Sequence, residues 1–281
     1  MPFRGPSEER EGLRARLGGL ALAEGDSLLV VDNTPGATAE DGPVPVLADA
    51  GHATPGFARN RGAERGHAEW LVFLDADAVA EPGLLDRYFE TPPAEDAAVL
   101  VGAVEDEPVR RGAPAAARYA RLKGLMSHEN TLGWDDWSFA QTANAACRRS
   151  AFEQVGGFRE DIRAAEDADL TYRLKAAGWV LERRDGARAV HVSRTSLRGL
   201  LRQRMLHGAG GAWLDSNYPG SVPKKRWPGL LWWAARSSVT GVARAAVARN
   251  ADQALVAVLA PLDTLAYEAG RSRDNHRPKG P

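Results

Sequence analysis

Three short aliphatic runs in the first hundred residues constrain the fold of this chain more than any other feature. They occupy residues 28–31, 70–74 and 98–104, and their length and richness in valine and leucine are typical of buried β-strands. Helix-like stretches at residues 13–23 and 57–68 accompany them. Strands that alternate with helices indicate a mostly parallel sheet covered on both faces, so the sequence predicts an α/β fold with flanking helices.

Aspartates directly follow two of these predicted strands, Asp32 after the first and Asp75 after the second. In open α/β sheets, ligands bind beyond the carboxyl ends of the strands, which predicts that both carboxylates lie at a ligand site. Asp77 comes two residues after Asp75, and side chains at positions i and i+2 of a strand share a face. This spacing predicts that the two carboxylates bind one divalent cation. A strand-ending turn with aspartate caps is the alternative interpretation.

Two further segments carry polar groups suited to a substrate. Arg59 and Asn60 lie at a predicted helix start, which favours contact with a phosphate or a base edge, whereas an exposed helix with scattered arginines explains them about as well. Glu166 and Asp167 open another predicted helix, where the helix dipole keeps acids ionised. One of them is suited to act as a general base toward a substrate hydroxyl, and stabilisation of the helix end alone is the alternative.

The second half of the chain is predicted to be mainly helical after two strands. Helical spacing covers residues 166–178, and strand-like runs cover residues 179–182 and 187–192. Helices follow from residue 197, with breaks at residues 219–223 and near Asn250.

Composition narrows the classes of function. The chain has 36 Lys and Arg against 37 Asp and Glu, a formal net charge of -1, which excludes the broad positive field of a general nucleic-acid-binding protein. Cys147 is the only cysteine, which excludes an internal disulfide and a cysteine-rich zinc site and favours a reducing compartment. The N-terminal residues lack the apolar core of an export signal, and no apolar run reaches the roughly 20 residues that cross a bilayer. We therefore expect a cytoplasmic protein that binds no nucleic acid.

The motifs, taken in order, resemble those of family 2 glycosyltransferases of the GT-A fold. Five segments within about residues 26–212 carry the resemblance: Val30-Val31-Asp32-Asn33, Ala58-Arg59-Asn60-x-Gly62, Phe73-Leu74-Asp75-Ala76-Asp77, Gly156-Gly157-Phe158 and Glu166-Asp167-x-Asp169-Leu170-x-x-Arg173-Leu174. The resemblance implies a GT-A catalytic domain over residues 1–214. We expect a C-terminal helical extension over residues 215–270 and a disordered polar tail over residues 271–281.

The same resemblance implies an activity. It is the transfer of a sugar from a nucleotide diphosphate sugar, by default a UDP-sugar, to the hydroxyl of a small-molecule, glycan or lipid-linked acceptor, with inversion at the anomeric carbon. By this analogy Asp32 recognises the nucleotide base, and Arg59 with Asn60 supports the nucleoside and the phosphates.

The metal site and the general base are implied in the same way. Asp75 and Asp77 match the family's DxD pair, which holds Mn²⁺ or Mg²⁺ on the diphosphate. His191 resembles a histidine that completes the metal site in some relatives, and its imidazole suits Mn²⁺ better than Mg²⁺. A structural histidine at a strand end is the alternative. Asp167 matches the acid that deprotonates the acceptor, and Glu166 beside it is expected to orient the acceptor or the base.

Acceptor-binding residues are less sharply marked. Processive relatives carry a Gln-x-x-Arg-Trp motif in the helix after residue 197, and this sequence has Gln203 without the Arg-Trp ending, which favours the transfer of single sugars. We expect Gln203 to contact the acceptor and Arg204 to contact the diphosphate, with a solvated basic helix face as the alternative. Trp134 and Asp135 lie in an aromatic loop on which a substrate can stack.

The first residues of the chain depart from the pattern of the family. Relatives open with a hydrophobic strand, of which residues 1–5 resemble only the tail, so we expect few strand residues before Arg4.

Near the C-terminal end of the chain, four of the eight tryptophans lie among basic residues. Amphipathic helices of this kind bind anionic membranes, which predicts a peripheral membrane contact; packing of a helical pair against the catalytic domain is the alternative. The tryptophans are Trp213, Trp227, Trp232 and Trp233.

Two other classes of function fit part of the pattern. A strand followed by Asp-Ala-Asp also resembles the haloacid dehalogenase phosphatases, in which the first aspartate, here Asp75, is the nucleophile. The second alternative is a non-catalytic protein that binds a sugar nucleotide, in which Asp167 has no role. The sequence does not indicate the oligomeric state.

Overall fold

The computed structural model describes residues 1–110 and 112–277 and consists of two compact units. The first unit contains Met1–Glu105, Ser127–His191 and residues 276–277. The second unit contains Asp106–Met126 and Val192–Asn275. The division differs from the boundary predicted after residue 214, because helices on both sides of that residue pack together in the second unit.

Strands are concentrated in the first unit. In chain order they are β1 Pro2–Phe3, β2 Val30–Asp32, β3 Val46–Ala48, β4 Trp70–Leu74, β5 Ala78–Ala80, β6 Ala97–Asp106, β7 Asn144–Arg148 and β8 Val180–His191. β1, β2 and β3 form a parallel sheet. The other sheet has the order β4-β7-β6-β8-β5, in which β7 pairs antiparallel with both β4 and β6, and β5 pairs antiparallel with β8.

The strand predictions are largely confirmed. β2, β4 and β6 lie where the three aliphatic runs predict them, and two strand residues precede Arg4 as expected. The two strands predicted between residues 179 and 192 are instead one continuous strand, β8. Parallel pairing was expected throughout most of the sheet, but it joins β1, β2 and β3, while the pairs of β7 and β5 are antiparallel.

Helices flank the sheets in the first unit and form most of the second. They are α1 Ser7–Leu17, α2 Pro55–Ala63, α3 Leu84–Phe89, α4 Ala115–Lys123, α5 Glu129–Leu132, α6 Arg149–Gln154, α7 Glu166–Ala176, α8 Leu197–Asn217, α9 Trp227–Val247 and α10 Ala251–Gly270. The second unit contains α4, α8, α9 and α10, and the other helices belong to the first unit.

The core of the first unit lies against β4, β6 and β7. Phe73 of β4 is buried and packs edge-on against Phe158, with 5.1 Å between the ring centroids, and it also contacts Phe152. Burial of large apolar side chains is the main stabilising term in such a core. Because Phe158 belongs to the Gly-Gly-Phe motif, this packing fixes that loop next to the end of β4.

The second unit is built around a close contact between α8 and α10. A Cβ atom added to Gly208 would come within 1.9 Å of the carbonyl oxygen of Tyr267, so glycine is required at that crossing. Tyr119, Leu200 and Leu259 form its apolar core. Within residues 1–110 and 112–277, no helix is both long enough and apolar enough to span a bilayer.

The predicted helix breaks and the predicted tail have different outcomes. α8 ends at Asn217 and α10 begins after Asn250, as the sequence predicts. Residues 271–277 were expected to be disordered, but they have defined contacts: Arg271 donates to the carbonyl oxygen of Val222, and His276 forms a β-bridge with Ile162. Residues 278–281 of the predicted tail lie outside the described residues.

Candidate active site

β4 brings Asp75 and Asp77 to the edge of the sheet through a turn. The strand ends at Leu74, and the amide of Ala78 donates to the carbonyl oxygen of Asp75 at 2.9 Å. Because residues 75–78 turn instead of continuing the strand, the two carboxylates do not share a strand face. The prediction made from their i, i+2 spacing therefore fails at this point.

Asp77 lies beside His191 because of the sheet register. Ala78, the first residue of β5, is paired with His191, the last residue of β8. The Nε2 atom of the buried His191 is 3.5 Å from Oδ2 of Asp77, whose side chain is about one-third exposed. A carboxylate oxygen and an imidazole nitrogen at this separation are chemically suited to Mn²⁺, and the exposed side of Asp77 leaves room for further ligands.

Asp75 does not join this pair. Among the described residues, no three Asp, Glu, His or Cys side chains are grouped so that they could hold a metal ion. The structure therefore brings together two of the three predicted ligands, Asp77 and His191. Divalent cations at phosphate-transfer sites are commonly held by one or two protein groups together with substrate phosphates, so two ligands fit such an ion.

Arg59 of α2 binds two carboxylates at once. Its Nη2 donates to Oδ1 of Asp75 at 2.6 Å, and its Nη1 donates to Oε1 of Glu166 at 2.7 Å. Arg59 and Glu166 are buried, and the Asp75 side chain is partly exposed. Arg59 was expected to contact the nucleoside and phosphates. In the structure its guanidinium links the end of β4 to the start of α7, a connection that sequence reasoning missed. Support of the nucleoside and phosphates by Arg59 stays a prediction.

Asp167 follows Glu166 in the first turn of α7, and part of its surface is exposed. Its Oδ1 accepts a hydrogen bond from the amide of Ala168 at 2.8 Å. Burial, together with the negative charge of Glu166, raises the pKa of Asp167 to about 7, and the positive charge of Arg59 opposes this shift. A carboxylate with this pKa can accept a proton near neutral pH.

Asn60 fixes the Gly-Gly-Phe loop. Its Nδ2 donates to the carbonyl oxygen of Phe158, and its Oδ1 accepts from the amide of the same residue, both at 2.9 Å. Gly157 has a φ of +69°, and an added Cβ would lie 2.8 Å from Oδ1 of Asn60, so the loop requires glycine there. Both polar atoms of the Asn60 side-chain amide are thus hydrogen-bonded to Phe158. Support of the donor by Asn60 stays a prediction.

Asp169 and Arg173 complete the support of this loop. Asp169 is fully buried and accepts from Arg173 at 2.7 Å, and Arg173 also donates to the carbonyl oxygens of Val155 and Gly157. Sequence reasoning placed both residues in a motif without assigning them a role. Their i, i+4 spacing on α7 was the signal for an ion pair.

Asp32 lies at the end of β2 and is buried. It accepts from Nη1 of Arg10 at 3.0 Å and from the amide of Thr34 at 2.9 Å. Arg10, which no motif marks, therefore neutralises Asp32. Recognition of a nucleotide base by Asp32 stays a prediction.

The predicted acceptor residues belong to both units. In the first unit, Trp134 is exposed and packs edge-on against Phe139, and the exposed Asp135 begins a short 3₁₀ helix. In the second unit, Gln203 and Arg204 lie on α8. Arg204 Nε is 2.7 Å from Oδ1 of the buried Asp263, so its guanidinium forms an ion pair within that unit. Contact of Arg204 with the donor diphosphate stays a prediction.

Comparison with known proteins identifies similar chains. Residues 46–202 match the model of a family described as glycosyltransferase like family 2. The chain is 31% identical over 199 residues to the pre-mycofactocin glycosyltransferase of two Mycobacterium tuberculosis strains, covering 68% of this chain and 42% of each relative. It therefore spans less than half of the length of these relatives. It is 28% identical over 231 residues to the succinoglycan biosynthesis protein ExoA of Rhizobium meliloti, covering 74% of this chain and 70% of ExoA.

A solved structure has a similar fold. It is the mannosyltransferase PcManGT from Pyrobaculum calidifontis, in complex with GDP-Man and Mn²⁺. The TM-score is 0.61 at 15% sequence identity, and the alignment covers 96% of this chain and 85% of the other.

Proposed function

Since this chain belongs to the glycosyltransferase-like family 2 and has the GT-A fold expected from its sequence, we propose that it transfers a single sugar from a nucleotide diphosphate sugar to an acceptor hydroxyl, with inversion at the anomeric carbon. One arrangement carries the proposal. Asp77 and His191 form a pair at the sheet edge, and Arg59 connects the same turn, through Asp75, to the helix start that bears Asp167. These direct contacts within one unit support the proposal, because they join the residues proposed to bind an ion and a diphosphate to the residue proposed to accept the proton.

Asp167 is proposed as the general base. The acceptor hydroxyl gives its proton to the Asp167 carboxylate while its oxygen forms a bond to the anomeric carbon. The bond from that carbon to the diphosphate breaks, and the nucleoside diphosphate leaves with the electron pair. Attack opposite the leaving group inverts the configuration of the sugar, which NMR of the product can measure.

Asp77 and His191 are proposed to hold Mn²⁺ or Mg²⁺. Such an ion, when bound, neutralises charge on the departing diphosphate. Arg59 is proposed as a positioning residue: it fixes Asp75 at the turn and Glu166 beside the base. Asn60 is proposed as a second positioning residue, because its side chain fixes the Gly-Gly-Phe loop.

The donor and the acceptor are open within this class. The structurally similar mannosyltransferase binds GDP-Man, while a UDP-sugar is the default expectation from the sequence, so the two bases are the first to compare. The acceptor is proposed to be the hydroxyl of a small molecule, a glycan or a lipid-linked compound. Trp134 is exposed and lies in a loop, so its ring is suited to stack on the acceptor.

The test is a screen of nucleotide sugars with Mn²⁺ that follows thermal stabilisation and donor hydrolysis. We expect one base and one sugar to stabilise the protein selectively. Release of phosphate from simple phosphoesters, with no stabilisation by any nucleotide sugar, would favour the phosphatase alternative. Selective stabilisation with no turnover by any acceptor or by water would favour a binding protein.

The pKa of Asp167 predicts how activity depends on pH. A general base must be ionised, so kcat/KM should rise about tenfold per pH unit below about pH 7 and level off above it. Glu166→Gln should move the rising part of this pH profile, its acidic limb, to lower pH, because the charge of Glu166 raises the pKa of Asp167. Glu153→Gln, an exposed change on α6, should leave the limb in place. A flat profile between about pH 5 and pH 8 contradicts the role of Asp167.

Removal of either proposed metal ligand should weaken metal binding. Asp77→Ala and His191→Ala are each expected to lower the affinity for Mn²⁺, in the presence of nucleoside diphosphate, by at least about tenfold. Calorimetric titration with Mn²⁺ measures this. His67→Ala, which removes an exposed histidine, is the control and should not change the affinity. Unchanged Mn²⁺ affinity in both ligand variants would rule the pair out as the metal site.

A further inference from the structure

α9 contacts the rest of the second unit along a narrow stripe. Leu230, Ala234 and Ala245 are its buried residues. Gly241 lies on the same stripe, and a Cβ added there would come within 2.6 Å of Cβ of Ala257 on α10. The two helices therefore touch closely along one line, and most of the remaining surface of α9 is open to solvent.

The exposed surface of α9 is mostly apolar. Trp232 is 65% exposed, Val239 is 70% exposed and Val247 is 89% exposed. Leu231 and Val242 are also exposed, and helical periodicity places both on the same side of the helix as Val239. Large apolar side chains gathered on one exposed face mark an interaction surface, because leaving them in water forgoes the free energy of burial.

The charge around this face has one sign. From Ser216 to Ala251 the chain contains six Lys or Arg residues and no Asp or Glu. None of the six forms an ion pair within residues 1–110 and 112–277; Arg236 instead lies over the ring of Trp232, 5.3 Å from its centroid. The six are Lys224, Lys225, Arg226, Arg236, Arg244 and Arg249.

Three of these cations lie next to the N-terminus of α9, where positive charge is unfavourable. Lys224, Lys225 and Arg226 directly precede Trp227, the first residue of α9, and the first turn contains no acid. The N-terminus of a helix carries a partial positive charge, so cations there destabilise it. An anionic partner bound next to them would offset this destabilisation.

We propose that the exposed apolar face of α9, together with residues 224–226, binds the surface of an anionic phospholipid bilayer. Trp232 and its apolar neighbours enter the interface between headgroups and acyl chains, where tryptophan is favoured, and the basic residues contact lipid phosphates. A second copy of this chain fits less well, because a symmetric pair would bring two sets of unpaired cations together. This surface lies in the second unit and does not depend on the proposed transfer activity.

The test is co-sedimentation of the full chain with vesicles. We expect binding to equimolar phosphatidylcholine and phosphatidylglycerol, no binding to phosphatidylcholine alone, and release by high salt. Replacing Lys224, Lys225 and Arg226 with Gln should weaken binding about 100-fold, and Trp232→Ala should weaken it about tenfold. Circular dichroism should show all variants folded, because these side chains are exposed.

The control variant removes the same charge elsewhere. Gln at Arg65, Arg87 and Arg183, three exposed arginines of the first unit, should leave vesicle binding nearly unchanged. If vesicle binding were weakened equally in this control, the effect would come from net charge and not from the face of α9, and the proposal would be overturned. It is also overturned if the chain binds neither vesicle type, or if sedimentation shows a dimer that Trp232→Ala dissociates.

Discussion

Replacement of Asp167 by Asn is expected to lower the rate of sugar transfer about 1000-fold, within the range found for removal of a general base, while donor affinity changes by no more than about twofold. Asparagine has nearly the same shape, and its side-chain oxygen can still accept from the amide of Ala168. The change removes a negative charge near the proposed site for an anionic diphosphate, so any effect on donor affinity should be toward tighter binding. Single-turnover rates and calorimetric titration with the donor separate the two quantities.

The control for this prediction is Asp86→Asn, which changes an exposed aspartate in the first turn of α3. It should retain full activity, since it alters a helix start of the same kind away from the proposed chemistry. A rate for Asp167→Asn within tenfold of the unmodified protein would exclude Asp167 as the base. Loss of donor binding together with activity would assign Asp167 a structural role instead.

The fold could be predicted well wherever a local signal was complete. β4 matches its predicted range because it is an uninterrupted apolar run bounded by polar residues. α1 was expected to extend to residue 23, but it ends at Leu17, because the following glycines, Gly18 and Gly19, favour a helix end over continuation. The order of motifs correctly predicted the GT-A fold.

The site could be predicted only in outline, because its contacts join distant parts of the chain. Arg59 was recognised as a site residue, but its partners lie 16 and 107 residues away, and nothing local to Arg59 identifies them. The turn after Leu74 separates Asp75 from Asp77, and periodicity alone treats that segment as strand. The Asp77–His191 contact depends on the pairing of β5 with β8, which only the resemblance to a family suggested.

Arg59→Met is expected to destabilise the protein by about 3 kcal/mol, at the lower end of the range for breaking a buried ion pair by removing one partner. The Arg59 side chain is buried and neutralises Glu166, which is also buried, while Asp75 keeps 29% of its side chain exposed and loses less. Without Arg59, the carboxylates of Asp75, Glu166 and Asp167 would repel one another with no cation between them. Urea unfolding followed by circular dichroism measures the loss, which should shrink at low pH as the carboxylates become protonated.

Arg61→Met is the matched control, because Arg61 lies two residues away on the same helix with a side chain that is one-third exposed. Its loss should cost less than about 1 kcal/mol, as for other exposed ion pairs. Equal losses in the two variants would mean that Arg59 is not the organising cation. The pH profile supplies an independent check: the positive charge of Arg59 lowers the pKa of Asp167, so Arg59→Met should move the activity limb to higher pH, opposite to Glu166→Gln. Opposite shifts would be hard to obtain from general loosening of the fold, and they would tie Arg59 and Glu166 directly to the proton-accepting carboxylate.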